Sequence, residues 1–309
     1  MKYKRKLKRF LWALVGCFLL ANAIAFMHAY KFTHFTNSSG KSTYEATALK
    51  KIYMLFTGVD NPRPVNKQLP DTAYQTILIR SNELLESWLI QTENAKGTII
   101  LFHGYGGEKS SMLDKAAAFR GLGFNTLVVD FMGSGGSEGN STTIGYKEAE
   151  EVRDCFNFLK ENGFENIHLF GTSMGAVAIM RALHEYDIKP ASIIIECPFG
   201  TMTQTVKARF KMMGVPAFPM AHLLLFWGGV QNGFWAFSHN PVDYVKRITC
   251  PVLLLYGESD PKVSRAEIES IYTNIKGEKV LRTYRLAGHE NYLIKYHDQW
   301  LEDVKSFLQ

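Results

Sequence analysis

The sequence predicts an α/β protein, a mostly parallel and doubly wound sheet with a helical insertion, preceded by one apolar N-terminal helix. Three observations lead there. Four strongly apolar runs, 98–102, 125–131, 167–170 and 192–195, alternate with helical stretches near 111–122, 145–162 and 174–186. Strands buried on both faces read as continuous apolar runs, and their alternation with helices signals a parallel sheet covered on both sides. The rhythm stops after Pro198 and resumes with 251–256, 279–286 and a closing helix over 292–308. Finally, 10–30 carries no charged residue and has the length a single helix needs to cross a bilayer.

The N-terminus divides by charge. Of 35 Lys and Arg, six lie in the first nine residues, so the remaining 29 balance the 29 Asp and Glu. The body is neutral, and its charge gives no support for nucleic-acid binding. Residues 1–9 are expected to form a basic cytoplasmic tail and 10–30 a membrane anchor, with Trp12 and Tyr30 near the interfaces and the body outside. Two other readings compete. Ala21-Asn22-Ala23 offers a signal-peptidase site, giving a secreted protein. Leu14-Val15-Gly16-Cys17 resembles a lipoprotein processing box, although the residues after Cys17 stay apolar.

Residues 31–75 read as a mixed tether, with a flexible linker at Asn37-Ser-Ser-Gly-Lys-Ser42, a short helix at 47–56 and a break at Asn61-Pro-Arg-Pro64. The body then runs from 76 to 309. Segments 77–80 and 84–91 alternate enough to make an antiparallel hairpin at one sheet edge. The four cysteines form no disulfide framework: Cys197 follows one predicted strand and Cys250 precedes another, which places them at opposite ends of a parallel sheet. No Cys/His spacing suggests a metal.

Gly-x-Ser-x-Gly occurs twice. Gly171-Thr-Ser-Met-Gly175 has a strand before it and an Ala-rich helix after it, so its serine stands at the tip of a tight turn. Gly135-Gly-Ser-Glu-Gly139 lies in a glycine-rich loop. Ser173 is therefore the candidate nucleophile and Ser137 the rejected one. A serine needs a base, and the base needs an acid to hold its tautomer. Asp260 and His289 each follow a predicted strand and supply both; Glu258 and Glu196 are competing acids. The glycines of Phe102-His-Gly-Tyr-Gly-Gly107 permit a turn whose N–H groups point into the site. The backbone N–H groups of Tyr105 and Met174 are the expected oxyanion donors, with His103 ordering the turn.

These landmarks, with Asp130-Phe-Met-Gly-Ser-Gly-Gly-Ser-Glu-Gly139, Tyr256-Gly-Glu-Ser-Asp260 and Gly288-His289, resemble those of the α/β-hydrolase superfamily. The branch most similar is the serine-aminopeptidase-like and monoglyceride-lipase-like one. The resemblance covers roughly 77–308 and implies the α/β-hydrolase fold, a Ser-His-Asp triad, no cofactor and a lid at 200–240. The family usually has arginine where Met132 stands, which leaves the loop's ion pairing open. Between Cys197 and Val242 there is no Asp or Glu, whereas Lys207, Arg209 and Lys211 are present. An aminopeptidase holds a cationic amine with carboxylates; this segment offers apolar surface and cations instead. The expectation is a serine hydrolase of acyl or monoacylglycerol-type esters, with Phe210, Met213, Phe226 and Trp227 as substrate-binding residues. A peptidase or amidase, or a non-catalytic binding protein of the same fold, are the alternatives.

Overall fold

The computed structural model describes residues 2–36 and 48–309; the linker expected at 37–42 lies outside them. A long helix, α1 (Lys2–Thr33), leads into a short parallel pair, β1 (Phe35–Thr36) and β2 (Asn61–Pro62), with α2 (Ala48–Thr57) between them. The hairpin β3 (Gln75–Arg80) and β4 (Leu84–Ile90) follows. Then come β5 (Thr98–Phe102), α3 (Leu113–Gly121), β6 (Asn125–Val129), α4 (Glu148–Glu161), β7 (Ile167–Thr172), α5 (Met174–Glu185) and β8 (Ser192–Glu196). The insertion holds α6 (Met202–Met212) and α7 (Met220–Asn232) and no strand; α8 (Pro241–Tyr244) follows it. The chain closes with β9 (Val252–Gly257), α9 (Arg265–Asn274), β10 (Lys279–Tyr284), α10 (Tyr292–Lys295) and α11 (His297–Phe307).

Eight strands form one sheet in the order β10-β9-β8-β7-β5-β6-β4-β3. Only β4 runs against its neighbours, and the β3–β4 hairpin occupies one edge. Successive residues of β5 feed opposite layers: Ile100 and Phe102 pack on one side of the sheet, Ile99 and Leu101 on the other. This alternation between two buried faces explains why the central strands read as unbroken apolar runs. After β5 the chain goes to β6 on one side and then crosses to β7 on the other. The turns after β5 and β7 therefore part at a crevice at the C-terminal ends of the strands, where open α/β sheets bind ligands.

Three boundaries differ from expectation, each for a local reason. The helix expected from 145 begins at Glu148, because Ile144 and Gly145 take positive φ and the Glu148 carboxylate accepts the N–H groups of Thr143 and Gly145. The closing helix is broken at Tyr296, which leaves helical geometry and accepts the Leu286 N–H on its hydroxyl. The described parts of 31–75 are strapped to the body rather than loose. Phe35 is buried, the Arg63 guanidinium donates to the carbonyls of Ser137 and Gly139, and Asn66 bonds Asp130.

Candidate active site

β7 ends at Thr172, and Ser173 makes the turn into α5 with φ 53° and ψ −109°. A non-glycine residue in this region is strained. The neighbours enforce it: a Cβ on Gly171 would lie 2.5 Å from the Gly175 carbonyl carbon, and one on Gly175 would collide with Phe102 O of β5. Both glycines let helix, strand and turn crowd together. The Ser173 N–H donates to Glu196 O at 2.8 Å, tying the turn to the end of β8.

The hydroxyl of Ser173 lies 3.0 Å from His289 Nε2, and His289 Nδ1 lies 2.7 Å from Asp260 Oδ2. An ionised carboxylate only accepts, so Nδ1 carries the proton and Nε2 offers its lone pair to Ser173. The Asp260 carboxylate is fully buried and also accepts the N–H groups of Lys262, at 2.7 Å, and Val263, at 3.1 Å. His289 comes from the loop after β10, Asp260 from the turn after β9, and Ser173 from the turn after β7. Chain positions 116 residues apart thus meet because all three strands end on the same edge of the sheet.

The competing groups are engaged elsewhere. Ser137 is buried, donates to Asp130 O at 2.6 Å and accepts the Glu86 N–H at 2.8 Å. Glu258 pairs with Arg265. Buried Glu196 accepts from Trp300 Nε1 and the Thr172 hydroxyl, with Lys115 Nζ 3.6 Å away. His103 is buried with Nδ1 on Gly104 O at 2.8 Å and Nε2 accepting the Phe131 N–H at 3.1 Å, so it ties the turn after β5 to that after β6. Burial holds it below its ordinary pKa, and so neutral. Met132 carries no charge to Asp130, but Lys109 does: its buried Nζ pairs with Asp130 and, at 2.7 Å, with Glu86.

Gly104 lies against the Ser173 Cβ, which brings the turn after β5 beside the serine. Among the described residues, neither the Tyr105 nor the Met174 N–H has an acceptor. The Tyr105 side chain is held from the N-terminal segment. Its hydroxyl donates to Phe32 O at 2.8 Å and accepts Asn61 Nδ2 at 2.7 Å, and its ring stacks on Phe32. Nothing in local sequence marks Phe32 or Asn61, since their role exists only through the docking of α1. Of two further neighbours, Cys197 was equally silent, whereas Arg209 is one of the three cations noted in the insertion. Cys197, at φ 40°, puts its sulfur within 4.8 Å of the ligand atoms of Asp260 and His289, and burial drives its pKa far up. Arg209 is half-buried on α6; burial lowers its pKa, while its charge is felt by the Tyr105 hydroxyl and by Asp260.

The four apolar residues expected to bind substrate differ in their surroundings. Phe210 is buried, whereas Met213 and Phe226 are exposed. Trp227 turns to α1, donating Nε1 to Asn22 Oδ1 at 3.1 Å with its ring edge-on to Phe26. Sequence could not foresee this, because it gave α1 no partner in the body.

Known proteins resemble this chain in sequence and fold. The family described as serine aminopeptidase, S33 matches residues 93–229. The uncharacterized protein YqkD of Bacillus subtilis is 24% identical over 230 residues, covering 72% of this chain and 75% of its own. The lysophosphatidylserine lipase ABHD12 of Xenopus tropicalis is 25% identical over 208 residues, covering 64% of this chain; the match spans about half, 52%, of that lipase's length. Among solved structures, the esterase Pf2001 of Pyrococcus furiosus superposes with a TM-score of 0.68 at 25% identity, over 81% of this chain and 97% of the esterase. The order of the strands, the serine turn at the crevice and these likenesses agree, and the chain has the α/β-hydrolase fold.

Proposed function

We propose that this chain is a serine hydrolase that cleaves carboxylic esters with acyl or monoacylglycerol-type substrates. The observation that carries the reading is the hydrogen-bonded run Ser173–His289–Asp260 at the crevice. Ser173 Oγ attacks the ester carbonyl carbon while its proton passes to His289 Nε2. Asp260 holds the ring and stabilises the imidazolium. Negative charge on the carbonyl oxygen is met by the N–H groups of Tyr105 and Met174, the latter at the N-terminus of α5, where the helix dipole assists. The tetrahedral species collapses, the C–O bond breaks, and the alcohol leaves with the proton from His289. Water, deprotonated by His289, then releases the acid from the acyl-serine. The chemistry calls for no cofactor.

The likeness to esterases and to a lysophosphatidylserine lipase supports an ester substrate. So does Arg209. A peptidase acting at a free N-terminus must hold an ammonium group beside the scissile bond, whereas the insertion supplies Arg209 and has no Asp or Glu between Cys197 and Val242. It suits an ester that carries an anionic group. The matched family is described as a serine aminopeptidase, so amide cleavage is the second reading to test. We place the protein in a membrane through α1, N-terminus inside and hydrolase body outside, on the six cations ahead of one long apolar helix. Cleavage at Ala21-Asn22-Ala23 would instead release the body.

Fluorophosphonate should label the wild type at Ser173, and Ser173→Ala should lose both labelling and ester turnover, with kcat down by about 10⁴-fold or more. Labelling retained in Ser173→Ala would place the nucleophile elsewhere. Esters of graded chain length should be turned over faster than aminoacyl-anilides; the reverse order would favour the peptidase.

A further inference from the structure

α1 is one helix with two environments. Every residue described from Tyr3 to Leu20 is exposed, with Phe10, Trp12, Phe18 and Leu19 bare. From Ala21 onward the helix is docked on the body. Ala25 and Ala29 are buried, and Ala29 faces Gly228 of α7, so small residues on both sides let the two helices approach closely. Polar contacts fix the register: Trp227 to Asn22, Gln231 Nε2 to Phe26 O at 2.9 Å, and Asn232 Nδ2 to the Thr33 hydroxyl at 3.2 Å.

This division sets a depth. The bare apolar part, 10–20, is about 16 Å long at 1.5 Å per residue, roughly half of the ~30 Å hydrocarbon core. The other half of a crossing has to come from 21–30, the part that already carries α7. Charge agrees with that depth. After Arg9 the next charged residue on α1 is Lys31, which pairs with Asp60 at 2.9 Å, and no Asp, Glu, Lys or Arg occurs between Lys211 and Asp243. The outward surface at this level is apolar and aromatic. Phe26 meets Trp227 edge-on at 5.3 Å and Trp227 meets Phe226 at 5.1 Å. Trp235, Val230 and Tyr30 stand exposed beside them. Uncharged aromatic surface of this kind fits the acyl and interfacial zone of one leaflet.

We propose that the lid is a membrane-embedded element: α7 and the docked half of α1 lie together in the outer leaflet, and the crevice takes its acyl ester sideways from that leaflet rather than from water. The inference rests on the reading of α1 as a membrane anchor. It adds that the lid is submerged with the anchor, where a tethered body would keep it in solvent. The Phe32–Tyr105 contact joins this embedded unit to the turn that lines the serine, so insertion and the reactive centre share one rigid part.

Nitroxide labels in vesicle-reconstituted full-length protein test this, on a Cys17→Ala and Cys250→Ala background that leaves only the buried Cys155 and Cys197. Labels are placed singly at Phe18→Cys, Phe226→Cys, Val230→Cys and Lys189→Cys, and their collisions with oxygen and with a water-soluble nickel chelate are compared. Phe18, Phe226 and Val230 should favour oxygen, as lipid-exposed sites do, while Lys189 should favour nickel. Phe18 in lipid with Val230 in water would overturn the embedded lid but leave the anchor standing; Phe18 in water would overturn both. Exclusion of both reagents at Val230 would mean that a second protein surface covers it, which also overturns the proposal. Fluorophosphonate labelling of the same samples reports separately on the serine hydrolase reading. In activity, Val230→Asp should slow turnover of a long-chain monoacylglycerol presented in vesicles by about tenfold or more, because a charge in the acyl zone opposes insertion. Its turnover of a short soluble ester should match the wild type; an unchanged ratio between the two substrates would overturn the proposal.

Discussion

His239 ties the end of the insertion to the body and makes stability depend on pH. It is fully buried, with its ring nitrogens on Tyr244 Oη and Ile144 O, and burial lowers its pKa to about 4. The unfolded chain, near 6.5, binds the proton that the folded chain refuses, so stability is full above pH 6.5 and falls as pH drops toward 4. At 1.36 kcal/mol per unit this is about 3 kcal/mol. His168, also near 4 through burial, acts in the same direction. Thermal midpoints of the detergent-solubilised protein should decline from pH 7 to pH 4, and His239→Gln should flatten that decline. Lys109 makes a second case. Its ammonium and the Asp130 carboxylate are both fully buried, so removing one strands the other. Burial alone would raise the Asp130 pKa, but Lys109 and Asn66 outweigh it and hold the carboxyl below its usual range. Lys109→Met should cost about 3–5 kcal/mol, a fall in thermal midpoint on the order of 10 °C. The sequence showed that the usual arginine was missing at Met132. It did not show the replacement, because Lys109 reaches Asp130 only across the gap between two strand ends.

At the scale of elements, the parallel strands and their helices were legible because each apolar run is buried on both faces, which leaves a continuous signal. The serine turn was legible for a different reason: its two glycines are required by contacts with immediate neighbours in the motif and with β5. Gly175→Ala tests that contact. Its methyl meets Phe102 O, so α5 has to move off β5, at a cost of about 1–3 kcal/mol. Fluorophosphonate labelling should drop with it even where the protein stays folded. Helix ends were less legible. Glu148 starts α4 by capping a loop that sequence counts as helix, and Tyr296 breaks the last helix for a hydroxyl contact with Leu286. The apolar insertion showed that it was helical and acid-free, but apolar composition does not say which side chain meets substrate, core or α1. The contact of Trp227 with α1 was not legible for that reason.

For the whole molecule, the decisive feature is that α1 is part of the folded body from Ala21 onward. A chain shortened to begin at residue 31 would uncover Gly228, Gln231 and Trp227 and lose Asn22, Ala25 and Ala29 as partners. It should show a lower thermal midpoint and faster proteolysis within 202–240 than the full chain, measured side by side in detergent. Equal resistance would mean that the insertion is ordered without α1. The sequence by itself determined the sheet, the turn carrying Ser173, and the arrival of Asp260 and His289 in order, because periodicity and turn chemistry are local. It also determined that α1 is apolar enough to cross a membrane. Only the tertiary structure decided that half of that helix is a helix of the hydrolase body. That outcome depends on small side chains of Ala29 and Gly228, 199 residues apart in sequence, meeting at one helix crossing, and no local pattern encodes such a contact.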